Sequence, residues 1–319
     1  MSINRRTLLL AGATLASAGS AGAQSLQNRP VRIVIPFPPG AAMDVVARMI
    51  VTPLAEALGQ AVVIETRPGA GSTIGTAAVA TAAPDGHTIL FTSAAIASAP
   101  AVMPQLSFDP LRDFAPLSLL GHVPLVLTTG PQNDITSMAA LLAAARARPG
   151  AITYATPGNG TPIHLAMELL QREAGIRLVH VPYRGTPVPD LIAGRVDLHL
   201  DSAHAAIARG RQGQVRLLGI STPRRLPTLP ELPAIAETVP GYDASTWFAF
   251  FAPARVPAPI LAQLSAALVD VTSRPALRTA MAEQGVEVQA TGPEALARLL
   301  QADTERLGAI ARAVGAKLD

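Results

Sequence analysis

The sequence predicts an α/β protein of two lobes built on mainly parallel strands, and three observations carry that expectation. Short β-branched runs alternate with Ala/Leu-rich helical stretches. The alternation comes in two successive blocks of similar grammar, and 319 residues are more than one small core requires. In the first block Val31 to Pro36, Ala61 to Glu65, Thr88 to Thr92 and Leu117 to Gly121 read as strands, with helices over Met43 to Leu58 and Thr73 to Ala82. After Pro124 strands follow near Ile152 to Ala155, Leu178 to Pro182, Val196 to Leu200 and Val215 to Ser221. The helices between them are Ser137 to Arg148, Ile163 to Ala174 and Pro189 to Ala193. No internal repeat is visible.

The Pro-rich stretch Pro223 to Pro240 reads as a surface connection, because proline removes amide donors and interrupts regular structure. Ser245 to Ala252 is then a short aromatic strand, and three helices close the chain near Ala258 to Thr272, Pro275 to Gln284 and Pro293 to Val314. The last opens on Thr291-Gly292-Pro293-Glu294, a capping-box pattern, and carries Leu296, Leu299, Leu300, Leu307 and Ile310 on one face. Such a helix packs against a lobe. If it returns to the first, the chain crosses between lobes twice and the cleft between them is the natural ligand site.

Composition removes several function classes. All basic residues except Lys317, the third from the end, are arginine, so a Walker A lysine, a Schiff-base lysine and a kinase strand lysine have no candidate inside the fold. The absence of cysteine excludes thiol nucleophiles, thiolate metal sites and disulfides. Residues 1–23 read as an export leader: Arg5-Arg6, the apolar run Thr7 to Ala18 and Ala21-Gly22-Ala23 place a cut before Gln24, by a twin-arginine or an ordinary secretory route. Without the two leader arginines, 23 basic residues face 22 acidic ones, a net charge of +1. With 3% aromatic residues and no basic cluster, a nucleic-acid partner is not expected, and the mature chain is expected to be soluble.

Three strand ends run through a Gly-rich turn straight into a helix: Pro36 to Ala42, Arg67 to Thr73, and Thr156 to Pro162, where Thr161 suits the N-cap and Pro162 the first helical position. Helix starts leave amides unpaired and carry partial positive charge, so each turn could seat a carboxylate or phosphate without a cationic side chain. Gly69-Ala70-Gly71-Ser72-Thr73-Ile74-Gly75 is no dinucleotide fingerprint, since its third glycine arrives one residue late. No Gly-x-Ser-x-Gly elbow occurs. His199, Asp201 and His204 could be imagined around a metal, but they read better as separate polar residues at a strand end, and no metal or cofactor is expected. Asp201, at a strand's carboxyl end, is the candidate acceptor for a ligand amino or hydroxyl group, or equally a helix cap or solvated turn residue.

The ordered motifs Pro36-Phe37-Pro38-Pro39-Gly40…Asp44, Arg67-Pro68-Gly69-Ala70-Gly71, Pro84-Asp85-Gly86, Asp113-Phe114-Ala115-Pro116, Gly158-Asn159-Gly160-Thr161…His164-Leu165, Val179-His180-Val181-Pro182-Tyr183-Arg184-Gly185 and Pro240-Gly241-Tyr242…Trp247 span the chain from about Pro30 to its end. Over that length it resembles the extracytoplasmic solute-binding proteins of the tripartite tricarboxylate transporter family, the Bug receptors. The resemblance implies a type II periplasmic-binding-protein fold: a lobe of residues 24–123 and 243–319, a second of 124–242, two crossovers, and closure on a small carboxylate. It further implies a periplasmic, monomeric receptor without catalytic activity that serves membrane transporter subunits; a sensor-feeding binding module and an enzyme acting on a small anion are the rivals.

Carried over from that family, the carboxylate-binding loops fall on Phe37, Gly40, Ala41 and Asp44, on Gly71, Ser72 and Thr73, on Ser93 and Ala94, and on Gly158, Asn159, Gly160, Thr161 and His164. The second lobe's further contacts fall on Tyr183, Gly185 and Asp201. The chain also departs from the family pattern. Ala41 replaces a glycine and Met43 a hydroxyl residue, the segment Thr186 to Asp190 is about two residues short, and Ser202 stands where an asparagine is usual. Ligand specificity is therefore not expected to follow that of relatives.

Overall fold

The computed structural model describes residues 26, 28–103, 105–183, 186–226 and 229–317. The leader read at 1–23, Arg184 and Gly185 lie outside them. In chain order the first block forms β1 (Val31–Ile35), α1 (Ala42–Leu58), β2 (Val62–Thr66), α2 (Thr73–Ala80), β3 (Thr88–Ser93), α3 (Ala95–Val102) and β4 (Phe114–Val123). The second forms β5 (Leu125–Thr129), α4 (Met138–Ala147), β6 (Thr153–Thr156), α5 (Pro162–Ala174), β7 (Val179–Pro182), α6 (Val188–Ile192), β8 (Leu198–Ser202), α7 (Ala203–Arg211) and β9 (Arg216–Ile220). The chain ends with β10 (Thr246–Pro253), α8 (Ala258–Ser273), α9 (Pro275–Glu283), β11 (Glu287–Thr291) and α10 (Pro293–Ala313).

These elements make two sheets, a six-stranded one ordered β11-β4-β10-β3-β1-β2 and a five-stranded one ordered β7-β6-β8-β5-β9. Period-two alternation divides the first. Ile33, Ile35, Ile89, Phe91 and Phe250 pack with Ile50 and Leu268 on one face, while Val34, Leu90 and Phe251 join the core that continues into the second sheet through Leu127, Tyr154 and Leu170. The sheets are mixed rather than mainly parallel. Strands β1, β2 and β3 run together, as do β6, β7 and β8, but β10 with β3 and β4, β11 with β4, and β5 with β8 and β9 are antiparallel pairs. The reason is the crossovers: β5 and β10 each enter a sheet from the other one, at the edge where its parallel strands end, and so run against them.

Two strands and two helices escape the sequence pattern. The run Leu125–Thr129 is buried throughout, so it shows no alternation, and Glu287–Thr291 is a short edge strand of mixed polarity. Helix α3 is buried along most of its length and has no polar stripe or cap signal, and α7 is a short Ala-rich helix that follows directly on β8. The capping box before α10 does not form. Thr291 remains in β11, where its carbonyl accepts from the Ser118 hydroxyl at 3.1 Å, and Gly292 is the N-cap without a side-chain bond. The Pro-rich connection is more than a surface link, since it buries Leu229, Leu232, Ala234, Ile235 and Val239 and holds a short 3-10 turn at Ile235–Glu237.

The two crossovers lie side by side. The Leu125 amide donates to Ser221 Oγ at 2.9 Å, the Ser221 amide to the Leu125 carbonyl at 2.8 Å, and the Ala244 amide to the Ser221 carbonyl at 3.1 Å. Helix α10 packs on α3 and β4 and also touches α5. Its Asp303 accepts from Trp247 Nε1 at 2.7 Å, and its Arg306 donates to the Asp243 carbonyl on the returning crossover at 2.9 Å. Among the described residues no helix is long and apolar enough to cross a membrane.

Candidate functional site

Register decides which turns meet. Ile35 pairs with Thr66 and Val34 with Leu90, so the carboxyl ends of β1, β2 and β3 share one edge of the first sheet. Ser93 at the end of β3 faces Phe248, which also faces Gly121 near the end of β4, so the chain leaves for the second sheet from that same edge. In the second sheet Thr156 pairs with Pro182, and Ala155 with His199, which puts the ends of β6, β7 and β8 together; Ser202 faces Leu125, where β5 enters. Both carboxyl edges are thus joined by the crossovers. Ala94 and Pro162 line one narrow hollow with Leu125, Ala244 and Ile310, so the starts of α3 and α5 approach each other there.

The first turn delivers Phe37, half-buried, and exposed Gly40 into the start of α1, whose N-cap is Ala41. Asp44, in the first turn of α1, ties the preceding loop back to its own helix. Its buried carboxylate accepts from the Gly40 amide at 2.9 Å and pairs with Arg48 at 3.1 Å. Burial alone would raise its pKa, but the amide and the guanidinium outweigh burial and hold the carboxyl below its ordinary value. Met43 is 3% exposed and sits in the core of the first sheet's outer face, so its apolar bulk anchors α1. The residue that replaces the family's hydroxyl thus turns its side chain into the core and not toward the ligand seat.

The second turn is strained. Ala70, Gly71 and Ser72 take φ of 43°, 60° and 81° in succession, and two of them are not glycine. The strain is held by the Ser72 amide on the Gly69 carbonyl at 3.0 Å and by Thr73 Oγ1 on the Ala70 carbonyl at 2.8 Å. Ser72 and Thr73 are buried and Gly71 is exposed. In the third turn Ser93 Oγ accepts from the Ala95 amide at 3.3 Å, and Ala94 is buried.

The fourth turn is the most elaborately held. Thr161 caps α5, accepting from the His164 amide at 3.3 Å while donating to the Gly158 carbonyl at 2.8 Å. The Gly158 amide donates to Thr156 Oγ1 at 3.2 Å, and the Gly160 amide to His164 Nδ1 at 3.1 Å. Asn159 lies between these two anchored glycines. Beneath the turn, His164 stacks on His180 with ring centroids 4.1 Å apart, and His180 on Tyr154 at 5.0 Å. His180 Nε2 lies 2.6 Å from Thr156 Oγ1, and the Tyr154 hydroxyl donates to Glu168. Burial lowers the pKa of His164. Burial first, and then His164, lower that of His180 to about 4 against the pull of Glu168. Sequence reasoning does not single out His180, Thr156, Glu168 and Tyr154; the signal for them is the shared face of Tyr154, Thr156 and His180 on adjacent parallel strands.

Two predictions arise here. Thr161→Ala removes a cap worth about 1 kcal/mol and loosens the turn, measurable as a lower urea midpoint. Both imidazoles bind a proton less readily folded than unfolded. Stability is therefore full above the ordinary value of 6.5 and falls as pH drops toward about 4, and urea midpoints at pH 7 and 4.5 should show that loss. His180→Phe should reduce its slope.

The remaining second-lobe residues already have partners. Tyr183, at the end of β7, donates its hydroxyl to Asp190 at 2.8 Å, and Asp190 also takes Arg195 at 2.8 Å. Asp201 accepts from the Ser202 amide at 2.8 Å and from Arg209 of α7. A ligand group reaching Asp201 would share it with Arg209, a partner that the sequence does not announce. Gly185 lies outside the described residues. His199 Nδ1 lies 3.1 Å from the Ala155 carbonyl, and His204 packs against the turn at Gly285, so the histidines near Asp201 are engaged separately. Among the described residues no group of three His, Asp or Glu is placed to hold a metal.

Two α/β lobes linked by paired crossovers, with several helix starts on the joined edges, are the architecture of a two-lobe periplasmic solute-binding protein. The family model of the tripartite tricarboxylate transporter family receptor matches residues 46–316. Protein BugT of Bordetella pertussis is 35% identical over 321 residues, covering 98% of each chain. The solved structure of R. palustris Rpa4515 with adipate is 31% identical with a TM-score of 0.81, covering 91% of this chain and 98% of that one. MatC (Rpa3494) from Rhodopseudomonas palustris with bound malate is 31% identical with a TM-score of 0.77, covering 88% and 98%. The chain belongs to the tripartite tricarboxylate transporter receptor family, a family of periplasmic solute-binding receptors rather than enzymes.

Proposed function

We propose that this chain is an exported receptor that captures a small organic acid, a mono- or dicarboxylate, by closing its two lobes, and presents it to the membrane subunits of a tripartite-type transporter. The lobes comprise residues 24–123 with 243–319, and 124–242. The observation that carries the reading is the sharing of edges: α1, α2 and α3 start where β1, β2 and β3 end, and α5 starts where β6 ends, at the edges joined by the crossovers. A carboxylate there meets amides that an α-helix leaves without an internal acceptor.

The turn amides are not equally available. Those of Gly40, Ser72, Gly158 and Gly160 donate within the protein, so they shape the seat. Ligand donors then come from the first helical turns, Ala42 and Met43 in α1 and Ile163 in α5, and from the hydroxyl of Ser72, since that of Thr73 already donates to the Ala70 carbonyl. Hydrogen bonds to a charged group contribute about 1.5–3 kcal/mol each, and a micromolar dissociation constant needs about 8 kcal/mol net, so a handful of donors suffices after ordering costs. The adipate and malate bound by the two R. palustris relatives support the ligand class.

A thermal-shift screen of mono- and dicarboxylates of two to eight carbons tests it. A ligand at a hundredfold excess over its dissociation constant stabilises the folded protein by about 2.7 kcal/mol. No shift with any acid, together with release of a neutral solute from the protein as purified, would sink the reading.

A further inference from the structure

The stacked imidazoles beneath the fourth turn have a role that carboxylate capture by first-turn amides leaves unassigned. A backbone amide only donates, so the 3.1 Å contact between the Gly160 amide and His164 Nδ1 requires an unprotonated Nδ1. Gly160 has φ 69°, Gly158 has φ 137°, and the turn between them is tied to the protein through Thr156, Thr161 and His164. Of these ties, the His164 contact is the one in which an imidazole accepts directly from a turn amide, while His180 touches the turn only through Thr156.

We propose that His164 is the positioning residue of the second lobe's ligand turn: its Nδ1 latches the Gly160 amide, and protonation of the ring releases the turn and weakens carboxylate binding in acid. A proton on Nδ1 points at the Gly160 N–H, turning an attraction into an opposition of two donors. The freed amide and the loosened Gly158–Thr161 segment no longer hold the start of α5 in one geometry. The inference rests on reading this turn as part of the ligand seat.

The groups facing His164 are few. From β7, His180 stacks at 4.1 Å and hydrogen-bonds Thr156 on its far side. From β6, Tyr154 stacks at 6.4 Å and its hydroxyl donates a hydrogen bond to Glu168. From α5 itself, Glu168 lies 3.7 Å from His164 Nε2 and is also bound by Gln171 Nε2 at 2.7 Å. Burial opposes the charged form of His164, so the neutral, latched form prevails at neutral pH and gives way in acid. In an exported protein the surroundings set that pH directly.

The test uses the isotopically labelled mature chain with adipate as probe. From pH 7.5 to 4.5 the Gly160 amide resonance and the His164 Nδ1 resonance should move with one shared midpoint, and the adipate dissociation constant should rise at least tenfold over the same range. His164→Ala should raise that constant at least tenfold at pH 7.5. His164→Asn, whose Oδ1 accepts from the same amide but does not titrate, should recover most of the loss and flatten the pH profile. A Gly160 amide that does not follow His164, or an unchanged pH slope in His164→Asn, overturns the latch. Failure of adipate to bind at any pH counts against the adipate-like ligand class, and the resonance arm still decides the latch.

Discussion

Replacing Trp247 with alanine is expected to lower the free energy of unfolding by about 3–5 kcal/mol, the range for truncating a large buried aromatic side chain. Trp247 is fully buried in β10, next to the crossover that returns from the second sheet, and its indole Nε1 donates to Asp303 of α10 at 2.7 Å. Asp303 is itself 5% exposed and holds Arg306, which reaches the Asp243 carbonyl on the crossover. The substitution therefore opens a cavity and strands a buried carboxylate oxygen at the point where the C-terminal helix clamps the hinge. Trp247→Phe keeps most of the bulk and loses only the donor, at a cost of about 1–3 kcal/mol. Trp247 is the single tryptophan of the chain, so urea unfolding should be followed by far-ultraviolet circular dichroism rather than fluorescence. A loss below about 1 kcal/mol for the alanine variant would show that α10 does not depend on this contact.

Gly75→Val is expected to raise the dissociation constant of a bound carboxylate more than tenfold while destabilising the protein by about 1–3 kcal/mol. A Cβ at position 75 would lie 2.7 Å from the Arg67 carbonyl oxygen, 2.9 Å from Pro36 Cβ and 3.0 Å from Pro36 Cα. Those atoms belong to the ends of β2 and β1, so relief of the clash must push the start of α2 off both strands and carry Gly71, Ser72 and Thr73 with it. The matching control is Gly59→Ala, after α1, where φ is 68° but nothing lies within 4 Å of the new methyl. It should cost about 1–2 kcal/mol from the left-handed backbone and leave affinity unchanged. Calorimetric titration of the two variants with an acid identified by the thermal-shift screen separates the effects. Equal affinities would remove the second turn from the site.

Much of this site is legible in the sequence, because a strand, a Gly-rich turn and a helix start are local features. Pro36 to Ala42, Arg67 to Thr73 and Thr156 to Pro162 each read as a helix entrance, and Thr161 and Pro162 occupy the cap and first helical position that their chemistry favours. The bracing of those entrances is not legible. Arg48 on Asp44 is an i,i+4 helix pair and lies within reach of pattern reasoning, but Arg209 on Asp201 spans a strand end and two turns of helix, with no spacing rule to announce it. The stack of Tyr154, His180 and His164 joins two strands and a helix, and it exists only because β6 and β7 are parallel neighbours.

The order of most elements, the lack of a thiol and of any lysine but Lys317 for covalent chemistry, and kinship with a receptor family follow from the chain of residues alone, because each depends on identity and local spacing. The directions of β5 and β10, the burial of Met43, and the division of turn amides between those that shape the seat and those left for a ligand were decided only on folding. All three depend on register and packing between segments far apart in the chain, and hydrophobicity sets how much is buried without specifying which partner each polar group will find.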